Sequence, residues 1–134
     1  MALEIFSLAG RRALVTGSSQ GIGLAIAEGL ARAGAAVVLN GRDEGKLASA
    51  KAALRTKGLP VSAAAFDVTD EAATTMAVAE IEARQGPINI LVNNAGMRFR
   101  TALEDYPLEK WRELMRVLAR QLAYELPKRA YKFV

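Results

Sequence analysis

Residues 16–23 read Thr16-Gly17-Ser18-Ser19-Gln20-Gly21-Ile22-Gly23, directly behind an apolar run and ahead of a stretch with helical spacing. Three glycines in seven residues impose a backbone that side chains would block. Gly17 permits a sharp exit from a strand, Gly21 lets backbone amides come close to an anion, and Gly23 lets the following helix pack tightly. The amino end of that helix presents unpaired N–H groups and a positive dipole end, which favour a phosphate without any basic side chain. The turn therefore points to a strand, a turn and a helix shaped for the pyrophosphate of a dinucleotide. Ser19, Gln20 and Ile22 share the turn and join the glycines as candidate contacts. A tight strand-to-helix turn with no ligand is the structural alternative.

The rest of the chain supports an α/β reading. Apolar runs at residues 12–16, 35–40, 61–66 and 88–93 alternate with helical patterns at 22–33, 43–57 and 69–84. Gly34, Gly58-Leu59-Pro60 and Gly86-Pro87 punctuate the helix ends. Continuous apolar strands joined by helical crossovers predict a doubly wound, Rossmann-like parallel sheet of about four strands, with helices on both faces. A last helix is expected from about Leu108, with Leu114, Leu118, Leu122 and Leu126 every four residues until Pro127 stops it. The domain reading is a dinucleotide-binding half domain over 1–110 and a C-terminal helix with a basic tail over 111–134.

Composition narrows the function classes. At 134 residues, half of them apolar, the chain is one ordinary globular domain. It has no cysteine and no histidine, so a disulfide framework and the commonest zinc and iron ligands are missing, and no metal site is expected. The 18 basic and 14 acidic residues are unevenly placed: residues 110–134 hold seven basic and two acidic ones. Those charges follow helical spacing without interleaved aromatics, as a solvated helix face does, so neither nucleic acid nor a membrane is expected as a partner. No basic leader and no 18-residue apolar run occur, and a cytoplasmic setting is the simplest expectation.

Three motifs lie in order: Thr-Gly-x-x-x-Gly-x-Gly at 16–23, Asp67-Val68 after the third apolar run, and Asn93-Asn94-Ala95-Gly96 after the fourth. Together they resemble the short-chain dehydrogenase/reductase family over residues 6–116. Residues 6–10, 38–42 and 97–116 look most like sugar-acid dehydrogenases of the gluconate 5-dehydrogenase kind. The resemblance implies a nicotinamide dinucleotide cofactor and a small alcohol or ketone substrate. It also implies that Asp67 accepts from the adenine amino group, that Val68 flanks the adenine, and that Asn93, Ala95 and Gly96 support the ribose and nicotinamide. Each has a structural alternative, such as Asp67 capping the next helix or Asn93 bracing the sheet. In the family the helices corresponding to this chain's last helix pair across a dimer, so the resemblance implies a homo-oligomer.

The second apolar run ends in Asn40-Gly41-Arg42. An acid at the second position would hold the ribose hydroxyls of NAD(H) and repel a 2′-phosphate, whereas Arg42 can take that phosphate bidentately. The expectation is NADP(H), with NAD(H) as the alternative that neighbouring Asp43 keeps open.

Catalysis reads differently. The resemblance implies a serine that orients substrate, a tyrosine whose proton affinity is lowered by a lysine four residues on, and a relay asparagine. No serine follows Ser62, and the asparagine expected just after Arg116 is absent. Tyr124-Glu125-Leu126-Pro127-Lys128 matches the tyrosine–lysine spacing, but it comes about 30 residues after Gly96 with no strand between. Pro127 also disfavours the helix that would align the pair. The expectation is a cofactor-binding half, cut near Arg116 and finished with an unrelated tail, with no catalytic residues assigned and Tyr124 and Lys128 as a chance match. A non-catalytic nucleotide-binding or oligomerising fragment is the alternative.

Overall fold

The first two strands are buried along nearly their whole length, and burial on both faces sets the architecture. The computed structural model describes residues 4–97 and 100–123. Its elements run β1 (Arg12–Val15), α1 (Gly21–Arg32), β2 (Ala36–Gly41), α2 (Glu44–Thr56), β3 (Val61–Ala65), α3 (Glu71–Gln85), β4 (Ile90–Val92) and α4 (Leu108–Ala123), with 3-10 turns at Glu4–Phe6 and Leu103–Asp105. The four strands form one parallel sheet in the order β3-β2-β1-β4, with Leu14 opposite Val38 on one side and Leu91 on the other.

Ala13, Val15, Val37 and Leu39 face one way and pack with Ala27 and Ala31 of α1 and Leu47, Ala50 and Leu54 of α2. Leu14 and Val38 face the other way and pack with Phe66, Val68, Ile88 and Ile81 of α3. Helices thus cover both faces, as the sequence pattern predicts. Each large apolar side chain fully buried in these layers, Leu39 and Leu54 among them, contributes about 1.5–3 kcal/mol relative to exposure.

Helix starts follow local chemistry. The Asp43 side chain accepts from Lys46 N–H and caps α2, and Asp70 accepts from Ala73 N–H and caps α3. The alternative in which Asp67 caps α3 is therefore corrected to Asp70. α1 differs, because Gln20 at its cap position makes no side-chain cap hydrogen bond and no acid sits in the first turn.

β4 is shorter than the expected 88–93. Arg12 N–H donates to Asn89 Oδ1 at 2.8 Å, and Glu82 Oε1 accepts the Ile88 N–H, so side chains close the start of the ladder. After Val92 the chain curls, with Asn94 N–H donating back to the Val92 carbonyl. The order of strands reverses across β1 and β4, and a crevice opens at their carboxyl ends, the place where open α/β sheets bind ligands.

Two glycines of α1 predict opposite stability effects. A Cβ on Gly23 would collide with Asn94 Nδ2 and the Gly17 carbonyl oxygen, whereas one on Gly29 would meet nothing within 4 Å. Gly23→Ala should lose about 1–3 kcal/mol in urea unfolding through overpacking, while Gly29→Ala should gain up to about 1 kcal/mol from helix propensity. The reverse order would contradict the packing.

Candidate functional site

Two asparagines, Asn40 buried and Asn94 partly so, hold the glycine turn from opposite sides. Asn94, past β4, donates both Nδ2 protons, to the carbonyls of Thr16 at 3.2 Å and Gly17 at 3.1 Å. In return Thr16 Oγ1 accepts the N–H groups of Asn94 and Ala95, each at 3.0 Å. Asn40, at the end of β2 and 1% exposed, accepts the Gly17 N–H at 3.2 Å through Oδ1. Its Nδ2 donates to the carbonyls of Ala64 and Phe66 at 3.3 and 3.1 Å. Ser18 completes the clasp: its hydroxyl donates to the Val15 carbonyl at 2.7 Å and accepts the Asn40 N–H at 3.0 Å.

The result is a turn with every polar strut satisfied and no room to spare. Gly17 has φ +62°, and a Cβ there would lie 2.7 Å from Ala95 Cα. Gly21 also has φ +62°, but nothing approaches it within 4 Å, so the backbone beside it is open to a ligand. The uncapped first turn of α1 faces the same opening. A cleft of about 1000 Å³ spreads from there across the strand ends.

Eleven of the sequence-predicted positions line that cleft: Gly17, Ser19, Gln20, Gly21, Ile22, Gly23, Arg42, Asp67, Val68, Ala95 and Gly96. Asn93 does not. It is an exposed residue, and Asn94 beside it braces the glycine turn. Asp43 is absent from the lining and engaged as the α2 cap. Tyr124 and Lys128 lie outside the described residues.

Asp67 is held by an Asx turn. Its Oδ1 accepts the Thr69 N–H at 2.8 Å and the Thr69 hydroxyl at 2.7 Å, and its Oδ2 lies 3.9 Å from the Arg42 guanidinium. Partial burial pushes its carboxyl up, but the two Thr69 hydrogen bonds and the Arg42 charge outweigh that and hold it below the ordinary aspartate value. Arg42 keeps 77% of its side chain exposed, so it remains accessible to a further anion.

Sequence reasoning missed Asn40, Asn94, Thr16 and Ser18 as the supporting frame. Asn40 carried the available signal, a polar residue at the end of an otherwise apolar strand, since such a group when buried must find partners. It also missed the far wall of the cleft, where α4 contributes Glu109, Glu113, Arg116 and Val117. Among the described residues no cluster of three metal-ligating side chains forms, and no helix is long and apolar enough to cross a membrane.

Comparison with known proteins gives a consistent picture. The family model for short chain dehydrogenases matches residues 11–120. Gluconate 5-dehydrogenase of Gluconobacter oxydans is 54% identical over 112 residues, which cover 84% of this chain and 44% of that protein. The 5-keto-D-gluconate 5-reductase of Escherichia coli is 39% identical over 114 residues, 85% of this chain and 45% of that protein. A crystal structure of a gluconate 5-dehydrogenase from Burkholderia cenocepacia, in complex with NADP and tartrate, superimposes with TM-score 0.85 at 47% identity, covering 92% of this chain and 48% of that one. The chain thus spans about half the length of the relatives it matches.

The Thr69 hydroxyl should be measurable through Asp67. A carboxylate whose folded-state pKa is depressed adds stability above its unfolded pKa, and loses it as pH falls through the folded value. NMR titration of Asp67 is expected to give a pKa below the ordinary aspartate range, and Thr69→Val should move it upward while the N–H bond persists. An unchanged titration in that variant would refute the assignment.

Proposed function

Because this chain belongs to the short-chain dehydrogenases, we propose that its cleft binds NADP(H) and that the protein is by lineage an oxidoreductase of small alcohols and ketones. The uncapped start of α1, behind a turn that no Cβ can enter at Gly17 or Gly23, carries the proposal. α2 and α3 spend their first-turn N–H groups on Asp43 and Asp70, while α1 leaves its own to the cleft. A pyrophosphate suits that vacancy in charge and in its demand for close backbone approach.

The remaining residues take the rest of the cofactor. Arg42 receives the 2′-phosphate, Asp67 accepts from the adenine amino group, Val68 flanks the ring, and Ala95 and Gly96 line the way toward the nicotinamide. Ser19, Gln20 and Ile22 surround the phosphates, and Asn93 remains a contact proposed from the family resemblance alone. Preference for NADP(H) over NAD(H) is supported by Gly41, which places no acid against the ribose, and by Asp43, whose carboxylate is committed to Lys46 N–H. The similar Burkholderia structure holds NADP, in keeping with this assignment. When bound, the nicotinamide would supply or accept the hydride.

The substrate class proposed is a sugar acid or its keto form, after the relatives' names. This chain has no serine after Ser62 to orient such a substrate. We therefore propose that these 134 residues by themselves hold cofactor without appreciable turnover. A homo-oligomer is also proposed, supported by three apolar side chains that α4 exposes, Leu108, Trp111 and Met115.

One titration series tests the reading. NADPH fluorescence should report binding to the chain, Arg42→Ala should weaken NADPH about tenfold or more while leaving NADH nearly unchanged, and added 5-keto-D-gluconate should produce no NADPH consumption. Equal loss of both cofactors in Arg42→Ala would overturn the NADP(H) assignment. Turnover abolished by Tyr124→Phe would overturn the catalytic one.

A further inference from the structure

α4 is turned the wrong way round for an ordinary surface helix. Glu109, Glu113, Arg116 and Val117, at intervals of four, three and one, share one helix face, and that face lines the cleft. On the roughly opposite face, Leu108, Trp111 and Met115 are 59%, 52% and 42% exposed. A surface helix normally buries its apolar stripe and shows charge to water. Here the charged face borders a cleft whose other wall holds Arg42 and Asp67.

Glu113 is the member of that face placed to matter. Its carboxylate accepts from Lys110 Nζ at 2.9 Å; that hydrogen bond first, and then the charges of Lys110, Arg116 and Arg42, hold it below the ordinary glutamate value. Arg42 thus shares the cleft with two carboxylates, Asp67 at 3.9 Å on its own wall and Glu113 on the α4 wall. We infer that Glu113 is a specificity-determining residue that opposes the 2′-phosphate, so that α4 tempers the cofactor preference set by Arg42. Lys110 partly neutralises Glu113 and moderates this effect.

The physical case is one of sign and geometry. A fixed negative charge facing the phosphate subsite penalises NADPH and leaves NADH, which lacks that phosphate, nearly untouched. Both side chains of the Glu113–Lys110 pair are about two-fifths exposed, so solvent and salt screen the effect to a modest size.

The inference rests on the NADP(H) reading of the cleft, and its test keeps the two apart. The readout is the ratio of dissociation constants, NADH over NADPH, for the full chain and two variants at low salt. Glu113→Gln should raise the ratio about threefold, and Lys110→Met, which unmasks Glu113, should lower it about twofold. Both shifts should shrink at about 0.5 M salt. Opposed directions exclude general loss of folding, which would weaken both dinucleotides alike. A ratio unchanged by Glu113→Gln, or moved the same way by both variants, would overturn the inference while leaving the cofactor reading intact. Failure of the unaltered chain to bind either dinucleotide would overturn that reading, and the inference with it.

Discussion

The exchange between Asn94 and the glycine turn fixes everything else in the cleft. Asn94 gives both amide protons to the Thr16 and Gly17 carbonyls, and Thr16 Oγ1 takes the N–H groups of Asn94 and Ala95 in return. These bonds tie the exit of β1 to the exit of β4 across the point where strand order reverses. Part-buried hydrogen bonds of this kind are each worth about 1 kcal/mol net, but an orphaned partner costs more, so the clasp holds as a unit. It also explains Gly23, whose missing Cβ is what lets the Asn94 side chain in. Without it α1 would stand off from the sheet, and its uncapped N–H groups would no longer face the strand ends.

Asn40 plays the matching part on the other flank. Its carboxamide has one acceptor and two donors, and all three are used, on Gly17 N–H and on the carbonyls of Ala64 and Phe66. Those partners belong to the glycine turn and to the end of β3 that leads to Asp67, and Asn40 itself sits two residues before Arg42. An aspartate at 40 would offer acceptors to two carbonyls and could not replace it. The polar frame thus sets the separation of the anion-facing helix end from the charged groups at the ends of β2 and β3.

How much of this is legible in the sequence follows from the range of each interaction. Strand and helix order could be read from apolar periodicity and glycine punctuation, because those signals act over a few residues and nothing tertiary opposes them. The glycines at 17, 21 and 23 were legible because their conformational demand is local. Asn94 and Asn40 were not assigned their roles, since their partners lie 77 and 23 residues away along the chain, at Gly17. β4 shrank to Ile90–Val92 for the same reason, with Glu82 and Arg12 reaching in from other elements. In α4 the leucine spacing suggested the stripe to watch; the side chains of Leu118, Leu122 and Leu126 lie outside the described residues, and among the described ones Leu108, Trp111 and Met115 are exposed while Glu109, Glu113 and Arg116 line the cleft. Periodicity gives a helix its faces, but only the packing decides which one turns inward.

A structure of the chain crystallised with NADPH tests the central claim most directly. The account requires the pyrophosphate against the backbone of Gly21 and Ile22 at the start of α1, the 2′-phosphate at Arg42 and the adenine beside Asp67 and Val68. NADPH bound elsewhere on the chain, or with its 2′-phosphate turned away from Arg42, would contradict it.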